Sequence, residues 1–359
     1  MTGWAAGWAA ACAGLLLACA AAATDARAEL TSPVAFSRDG VPADFCKVVR
    51  QDLLDGEFTQ LEATHKAAQS LEARFTGGQP ELEVFYDALT KSSCTGFFAT
   101  SCSDDPSFDS RKQRLQEWLD RKSDPSTANL ALARFWWDAA WAARGCGFAN
   151  QVTSQQWQGF FERLKLAAGY AHQIDAQSDA EAGHLLLALA RDFNLPRDQI
   201  DAVFQQARRR FPTYFLTYQE YGTITLEKWS GRTDLTAPYV QSLATDPGGD
   251  TGEVAYSILA ELLLYEFKAD RLYGADAGFA WPKVKQAFAA REKLYGLGAR
   301  DWTALCYLAY VAQDRAAARD ALRQLDGKVQ FWPFTGTGDF YLHVLPWIMS
   351  DEDAPASQP

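Results

Sequence analysis

Apolar residues recur at helical spacing along almost the whole chain, from about Phe45 to Met349. No segment shows the strict alternation of apolar and polar residues that is typical of half-buried strands. Turn-forming residues such as Leu195-Pro196 separate the helical segments. With 359 residues, of which 48% are hydrophobic and 22% charged, the chain is long enough to bury a large core. The sequence therefore predicts an all-α fold.

Roughly fifteen short helices cannot share the core of one bundle, so we expect helical hairpins that stack on one another. Tetratricopeptide repeats place apolar residues at fixed offsets, because a small residue lets two helices approach and a large one fills the adjacent gap. Three segments match those offsets: Phe204, Ala207 and Pro212; Tyr218, Tyr221 and Gly222; and Trp302, Leu305 and Cys306 with Ala318 and Leu322. The matches predict a degenerate tetratricopeptide-like solenoid, and unrelated helices are the alternative.

The amino terminus has the composition of a signal peptide. No charged residue occurs from Trp4 to Ala23, and leucines lie at the centre of this segment. Ala26-Arg27-Ala28 fits cleavage before Glu29, whereas Leu16-Leu17-Ala18-Cys19 resembles a bacterial lipoprotein box in which Cys19 is lipidated. An uncleaved anchor is a third alternative. All three predict a location outside the cytoplasm, either periplasmic or secreted, or membrane-anchored as a lipoprotein.

The rest of the chain divides by composition into four further segments. After the predicted signal peptide (1–28) we expect a flexible lead-in (29–43), an amino-terminal helical region (44–122), a tetratricopeptide-like region (123–349) and a disordered tail (350–359). The net charge of -11 repels phosphate backbones and anionic lipid surfaces. We therefore expect no nucleic-acid partner, and membrane attachment only through a lipid or an amino-terminal anchor.

The chain has seven cysteines, and two of them lie in the predicted signal peptide. Cys94 and Cys102 flank a short loop, so a local disulfide between them is the best prediction for one pair. The spacing does not assign partners to Cys46, Cys146 or Cys306. No Cys-x-x-Cys motif occurs, which argues against a zinc ribbon or a thioredoxin-like site.

The aromatic stretch from Ala128 to Gly147, which is predicted to be helical from Ala128 to Arg144, carries the clearest candidate site. At 100° per residue, Arg134, Trp137, Trp141 and Arg144 lie on one side of the helix, and Gly145 is placed to end it. We call these four residues the Arg–Trp stripe. An exposed stripe would bind a partner, with the indoles stacking on an aromatic or sugar ring and the guanidinium groups on a carboxylate. A buried stripe would instead pack neighbouring helices together.

The same helix resembles the core signature of the bacterial family known as domain of unknown function 4034. The likeness is carried by Pro125-Ser126, Ala131, Trp136-Trp137, Ala140-Trp141 and Ala143-Arg144-Gly145, and then by Phe211-Pro212, Tyr218 and Lys228-Trp229-Ser230-Gly231. It covers roughly residues 124–244 and extends more weakly to 347. Ser230 stands where a glycine is usual, and Cys146 where a small polar residue is common. The resemblance implies a tetratricopeptide-like helical fold in a bacterial protein, and no substrate.

Two Glu-x-x-His spacings are the only metal-ligand pattern, Glu62 to His65 and Glu181 to His184. Each is half of a di-iron carboxylate constellation, and the sequence offers no complete partner set. Metalloprotease, hydrolase-elbow and phosphate-loop motifs are absent, and we expect no cofactor.

Together these features predict an exported, non-enzymatic helical-repeat protein that binds a protein or peptide partner in the bacterial cell envelope through the Arg–Trp stripe. Two alternatives remain open. One is an envelope hydrolase or metal enzyme that uses the Glu-x-x-His pairs. The other is a glycan-binding protein that uses exposed tryptophans.

Overall fold

The computed structural model describes residues 35–37, 43–70, 72–94, 105–230, 232–245, 249–264, 266–267, 269–326, 328–330 and 340–350. The predicted signal peptide, the lipidation candidate Cys19, Cys102 and residues 351–359 of the tail lie outside these ranges. Helices account for most of the described residues, which confirms the all-α prediction. None of the helices in these ranges is long and apolar enough to cross a membrane.

The longer helices are labelled in chain order. They are α1 (Ala43–Asp55), α2 (Phe58–Ala68), α3 (Glu81–Thr90), α4 (Phe108–Arg121), α5 (Pro125–Arg144), α6 (Ser154–Ala171), α7 (Ala180–Asp192), α8 (Arg197–Arg210), α9 (Phe215–Thr225), α10 (Thr236–Ala244), α11 (Asp250–Leu263), α12 (Trp281–Tyr295), α13 (Ala299–Val311) and α14 (Arg315–Gln324). Shorter helical segments are Thr76–Gly78, Ala149–Gln151, Glu227–Ser230, Ala269–Leu272, Phe340–Val344 and Leu345–Met349.

The described residues divide into two compact units, a larger one within Arg38–Asp301 and a smaller one that consists of residues 35–37 and the described residues from Trp302 onward. In the smaller unit, β1 (Ala35–Ser37) pairs in parallel with β2 (Lys328–Gln330), Ala35 opposite Lys328. The predicted flexible lead-in thus contributes a strand. The α14 residue Arg319 donates a 2.9 Å hydrogen bond to the Ile348 carbonyl, which ties Leu345–Met349 to α14.

Within the larger unit, helices pack mainly on helices that are one or two positions away in the chain. The α5–α6 pair has the most extensive contact, α4 and α3 pack on α5, and the series continues through α7, α8, α9, α11 and α12. Gly222 on α9 lies so close to Leu259 on α11 that no Cβ would fit between them. A small side chain at position 222 is therefore required for α9 and α11 to pack this closely. Phe204 stacks on Tyr221 with ring centroids 3.9 Å apart, filling the adjacent space.

Two long-range contacts depart from a simple stack of repeats, in which each repeat touches only its neighbours. The segment Thr76–Gly78 packs on α12. Arg74 donates to the Thr213 carbonyl at 2.8 Å, 139 residues away in sequence. The solenoid arrangement therefore stays a prediction, whereas the all-α class is established.

Helix α5 begins at Pro125, three residues before the predicted start at Ala128, and it ends at Arg144 before Gly145, as the sequence predicts. The Asp124 carboxylate accepts a 3.1 Å hydrogen bond from the Thr127 backbone N–H, and Pro125 occupies the first turn, where its missing N–H costs nothing. Gly145 ends the helix with φ 78° and ψ 176°, a region that only glycine adopts readily. A Cβ there would lie 2.9 Å from the Gln156 amide nitrogen.

The predicted disulfide between Cys94 and Cys102 is wrong, because Cys94 is bonded to Cys46. Helices α1 and α3 pack together, which brings the two Cα atoms within 5.6 Å. Arg50, one turn beyond Cys46, donates to the Ala88 carbonyl at 3.0 Å and to the Lys91 carbonyl at 2.6 Å, so α1 also caps the end of α3. Cys146 is also disulfide-bonded.

Cys306 is a free, buried thiol in the smaller unit, and burial raises its pKa to about 12. At neutral pH it is therefore protonated and unreactive.

Candidate functional site

Arg134, the first member of the Arg–Trp stripe, lies inside the protein with only 2% of its surface exposed. Its guanidinium group forms ion pairs with Glu181 on α7 and with Asp87 on α3, the latter at 2.6 Å. Burial acts to lower the pKa of Arg134, but the nearby carboxylates of Asp87 and Asp138 raise it above its usual value. Arg134 is thus a fixed internal cation that joins three helices.

Trp137 and Trp141 are half-buried and share one acceptor. Their indole N–H groups donate to the same Oδ2 oxygen of Asp192, at 2.8 Å and 3.0 Å. Arg191 donates to the other oxygen of Asp192 at 2.8 Å and lies over the Trp141 ring. Both indole N–H groups are therefore already hydrogen-bonded to the end of α7, and these bonds hold α7 against α5.

The two segments that carry the family resemblance meet at Trp141. The Trp229 ring lies 5.9 Å from the Trp141 ring in an edge-to-face arrangement, and Arg191 stacks over Trp229 at 4.7 Å. Lys228 forms an ion pair with Glu266. Gly231, the turn residue of this motif, lies outside the described residues.

Arg144, the last member of the stripe, lies between two indole rings. Its guanidinium carbon is 5.4 Å from the centroids of both Trp141 and Trp157. Its Nη1 donates to the Gly145 and Gly147 carbonyls, at 3.1 Å and 3.0 Å. Among the described residues, no carboxylate pairs with it. Arg144 is therefore the stripe residue with charge left to offer a partner.

Next to Arg144, α6 presents aromatic rings to solvent. Phe161 is 45% exposed and stacks on the half-buried Trp157, with centroids 5.9 Å apart. We call Arg144, Trp157 and Phe161 the aromatic patch. Phe148, 79% exposed, lies in the loop that Arg144 holds through the Gly147 carbonyl. Sequence reasoning missed Trp157 and Phe161, although their i,i+4 spacing on α6 was a usable signal.

A buried network of charges surrounds Arg134. Glu181 is fully buried and accepts hydrogen bonds from the Tyr214 hydroxyl at 2.5 Å and from His184, whose Nδ1 lies 3.0 Å away. Burial and the Arg134 charge lower the pKa of His184 to about 4, so its ring is neutral at neutral pH. Burial and the Asp87 carboxylate raise the pKa of Glu83, which faces the same cluster.

The two Glu-x-x-His pairs have different surroundings. Glu181 and His184 contact each other, as described above. Glu62 instead accepts a 2.9 Å hydrogen bond from the Trp118 indole, while His65 lies 2.7 Å from Asp179. In the part of the chain that the structure describes, no group of three or more His, Cys, Asp or Glu side chains could hold a metal ion.

His65 belongs to a second buried cluster with the outline of an acid–base–hydroxyl triad. Asp179 lies 2.7 Å from its Nε2, and the Thr127 hydroxyl lies 3.3 Å from its Nδ1. Tyr86 also donates to Asp179 at 2.7 Å, and burial together with Asp179 raises the pKa of Tyr86 well above its usual value. The hydroxyl of the buried Thr127 donates a 2.7 Å hydrogen bond to the Asp124 carboxylate. The cluster connects α2, α3, α5 and α7, and it does not present the hydroxyl to a substrate.

No family model, curated protein or solved structure matches the chain. Membership of the family of domain of unknown function 4034 therefore stays a prediction that rests on the residues quoted for it.

Proposed function

We propose that the protein is an exported, non-catalytic, all-α binding protein that captures a segment of a partner protein in the bacterial cell envelope. The observation that carries the proposal is the aromatic patch, in which Phe161 is 45% exposed and stacked on Trp157 beside Arg144. Exposed apolar patches mark interaction surfaces, and aromatic and arginine side chains dominate binding energy at such surfaces. Of the four residues of the predicted Arg–Trp stripe, Arg144 is the one that belongs to the proposed binding site.

The chemistry of the patch defines the partner. The Nε and Nη2 groups of Arg144 have no hydrogen-bond acceptor among the described residues, and the two indoles beside the guanidinium hold it in place. A carboxylate on the partner would receive two N–H donors from such a group. The partner segment therefore carries an aspartate or glutamate next to a large apolar side chain, which packs on Phe161.

The internal charge clusters support a non-catalytic role. The carboxylates and guanidinium groups around Arg134 bind one another, and breaking such buried pairs costs stability. Their shifted pKa values therefore have a structural cause. Under this proposal the Glu181–His184 pair anchors α7 on α5 and is not part of a metal site.

Export is supported by the amino-terminal sequence and by the Cys46–Cys94 disulfide, since disulfides persist mainly in oxidising compartments. Mass spectrometry of the mature protein tests this directly. A first residue at Glu29, or an acylated Cys19, supports export. An intact Met1 in a protein recovered from the cytoplasm overturns it.

Site-specific photocrosslinking in intact cells tests the binding surface. The photoreactive residue p-benzoylphenylalanine replaces Phe161 in one variant and Leu166 in the other. Leu166 is the matched control, because it is also 45% exposed and lies on α6, but more than 100° around the helix from Phe161. We expect a discrete adduct from position 161 that Arg144→Ala abolishes. The proposal fails if position 161 yields no adduct, or the same adducts as position 166.

A further inference from the structure

A groove between α4 and the α5–α6 hairpin is lined by none of the residues of the aromatic patch. Its volume is about 330 Å³, which is at the lower end of the range for small-molecule sites. Lys112, Gln113, Gln116 and Glu117 line it from α4, while Trp136 and Tyr170 line it from the hairpin. Neither the Arg–Trp stripe nor the partner-binding proposal makes use of this groove.

The aromatic side of the groove is rigid before any ligand arrives. Trp136 packs edge-to-face on Phe108 and Phe135, with centroids 6.2 Å and 5.6 Å away, so its orientation is fixed. Its indole N–H is not buried and has no hydrogen-bond acceptor among the described residues. The groove thus offers a half-exposed ring together with one free donor.

The polar side of the groove is rich in carboxamides, and its charges are balanced. Lys112 pairs with Asp109 at 2.7 Å, and Glu117 accepts from Arg114 at 2.8 Å. Gln113 donates to Glu117 at 2.8 Å, and this bond together with Arg114 holds the pKa of Glu117 below its usual range. No unpaired cation is left among these lining residues to attract a phosphate or a carboxylate.

The remaining hydrogen-bonding capacity suits hydroxyl groups. Tyr170 donates to Gln116 at 3.2 Å, which leaves the phenol oxygen free to accept. The Gln113 carbonyl oxygen has no donor among the described residues, and each carboxamide keeps one unused N–H. Free donors and free acceptors are therefore both present on the residues that line the groove with Trp136. A sugar ring offers the matching surface, with C–H groups for the negative face of the indole and hydroxyls for the rim.

We propose that the groove binds a short neutral saccharide, which stacks on Trp136 and hydrogen-bonds to Gln113 and Gln116. The site shares no lining residue with the aromatic patch. A protein with both sites would hold a partner protein and a glycan at the same time.

Isothermal titration calorimetry of the full chain tests the proposal. The probes are N,N′-diacetylchitobiose, maltose and lactose at millimolar concentration, with glucuronic acid as the charged comparison and indole as the apolar one. We expect at least one neutral disaccharide to bind, and to bind more tightly than either comparison ligand. If none of the three binds, or if glucuronic acid or indole binds best, the proposal is overturned.

Two matched pairs of variants locate the binding. Trp136→Ala should weaken binding at least tenfold, and Trp281→Ala, which removes a half-buried tryptophan on α12, should leave it unchanged. Gln113→Leu should weaken binding about fivefold, the loss expected for one hydrogen bond. Gln158→Leu is its control, because Gln158 makes the same 2.8 Å contact to a glutamate one turn away. Equal affinities within either pair would contradict the proposal. Gln113 is exposed, so that pair stays informative even if Trp136→Ala unfolds.

Discussion

The guanidinium group of Arg291 donates a 2.7 Å hydrogen bond to the carbonyl oxygen of Gly77, 214 residues earlier in the chain. The same group pairs with Glu261 at 2.9 Å and with Asp301 at 2.6 Å, all of them buried. One arginine on α12 thus joins the loop before α3 to α11 and to the start of α13. The hydrogen bond between Arg291 and Gly77 therefore connects the first and last parts of the larger unit.

Gly77→Ala tests this connection. Gly77 has φ 82°, and a Cβ there would lie 2.5 Å from the Asp301 carboxylate, so the substitution must displace a partner of Arg291. We expect a loss of about 3 kcal/mol or more in the free energy of unfolding, measured in urea, because a buried cation loses its pairing. Gly56→Ala is the control, since Gly56 also has positive φ but a Cβ there would make ordinary contacts. Gly56→Ala should lower the free energy of unfolding by about 1 kcal/mol. Equal losses would show that the Asp301 contact carries no stability.

Glu181→Ala distinguishes a structural role from a metal site. The substitution leaves Arg134 buried without its fully buried partner, and we expect it to lower the free energy of unfolding by about 3–5 kcal/mol. For the control Glu162→Ala, on the exposed surface of α6, we expect a free energy of unfolding within about 0.5 kcal/mol of the wild-type value. A chelator should leave the wild-type melting temperature unchanged. Bound iron, manganese or zinc that is lost with Glu181→Ala would instead support the metal-enzyme alternative.

Local sequence information predicted what lies within one helix. The end of α5 at Gly145 and the common face of Trp137 and Trp141 follow from capping and spacing rules, whereas the helix begins at Pro125, three residues before the predicted Ala128. These features depend on residues within a few positions of one another. The repeat offsets also mark Gly222 as a small residue, but they do not identify Leu259 on α11 as its partner.

Contacts between distant segments could not be predicted in this way. Nothing in the sequence near Trp137 indicates that Asp192, 55 residues later, accepts a hydrogen bond from its indole N–H. The sequence alone therefore does not predict whether the Arg–Trp stripe is exposed or buried. The short pair β1–β2 is too brief to produce an alternating pattern. Sequence spacing pairs Cys94 with the nearest cysteine, Cys102, whereas the packing of α1 on α3 places Cys46 next to it.

Removal of the Cys46–Cys94 disulfide should destabilise the larger unit markedly. The bond closes a loop with a sequence separation of 48, for which chain entropy predicts a loss of about 4 kcal/mol in Cys46→Ala/Cys94→Ala. Cys306→Ala removes an unbridged buried thiol and controls for lost volume. Urea unfolding measures both variants. Peptide mapping without reductant should recover Cys46 linked to Cys94, and a Cys94–Cys102 peptide would contradict the structure.

His184 should make the protein less stable in mild acid. Burial and the Arg134 charge lower its pKa to about 4 in the folded state, from about 6.5 in the unfolded chain. Between these pH values the unfolded chain binds a proton at His184 that the folded chain does not, so stability rises with pH across this window and is lost as the pH falls through it. The full difference amounts to about 3 kcal/mol. The Glu220 carboxylate, whose Oε2 lies 3.9 Å from Nε2 of His184, acts to raise the pKa of His184 and so opposes part of the decrease.

The variant His184→Gln isolates this contribution, because the other titrating groups of the cluster, such as Glu83, remain in both proteins. We expect the free energy of unfolding of the wild type to fall by about 3 kcal/mol more than that of His184→Gln between pH 6.5 and pH 4. His172→Gln is the control, since His172 is exposed at the end of α6, and its profile should follow the wild type. Urea unfolding at half-unit pH steps measures the three profiles. Parallel profiles for His184→Gln and the wild type would mean that the buried ring accepts a proton without penalty, and that Arg134 does not determine its charge.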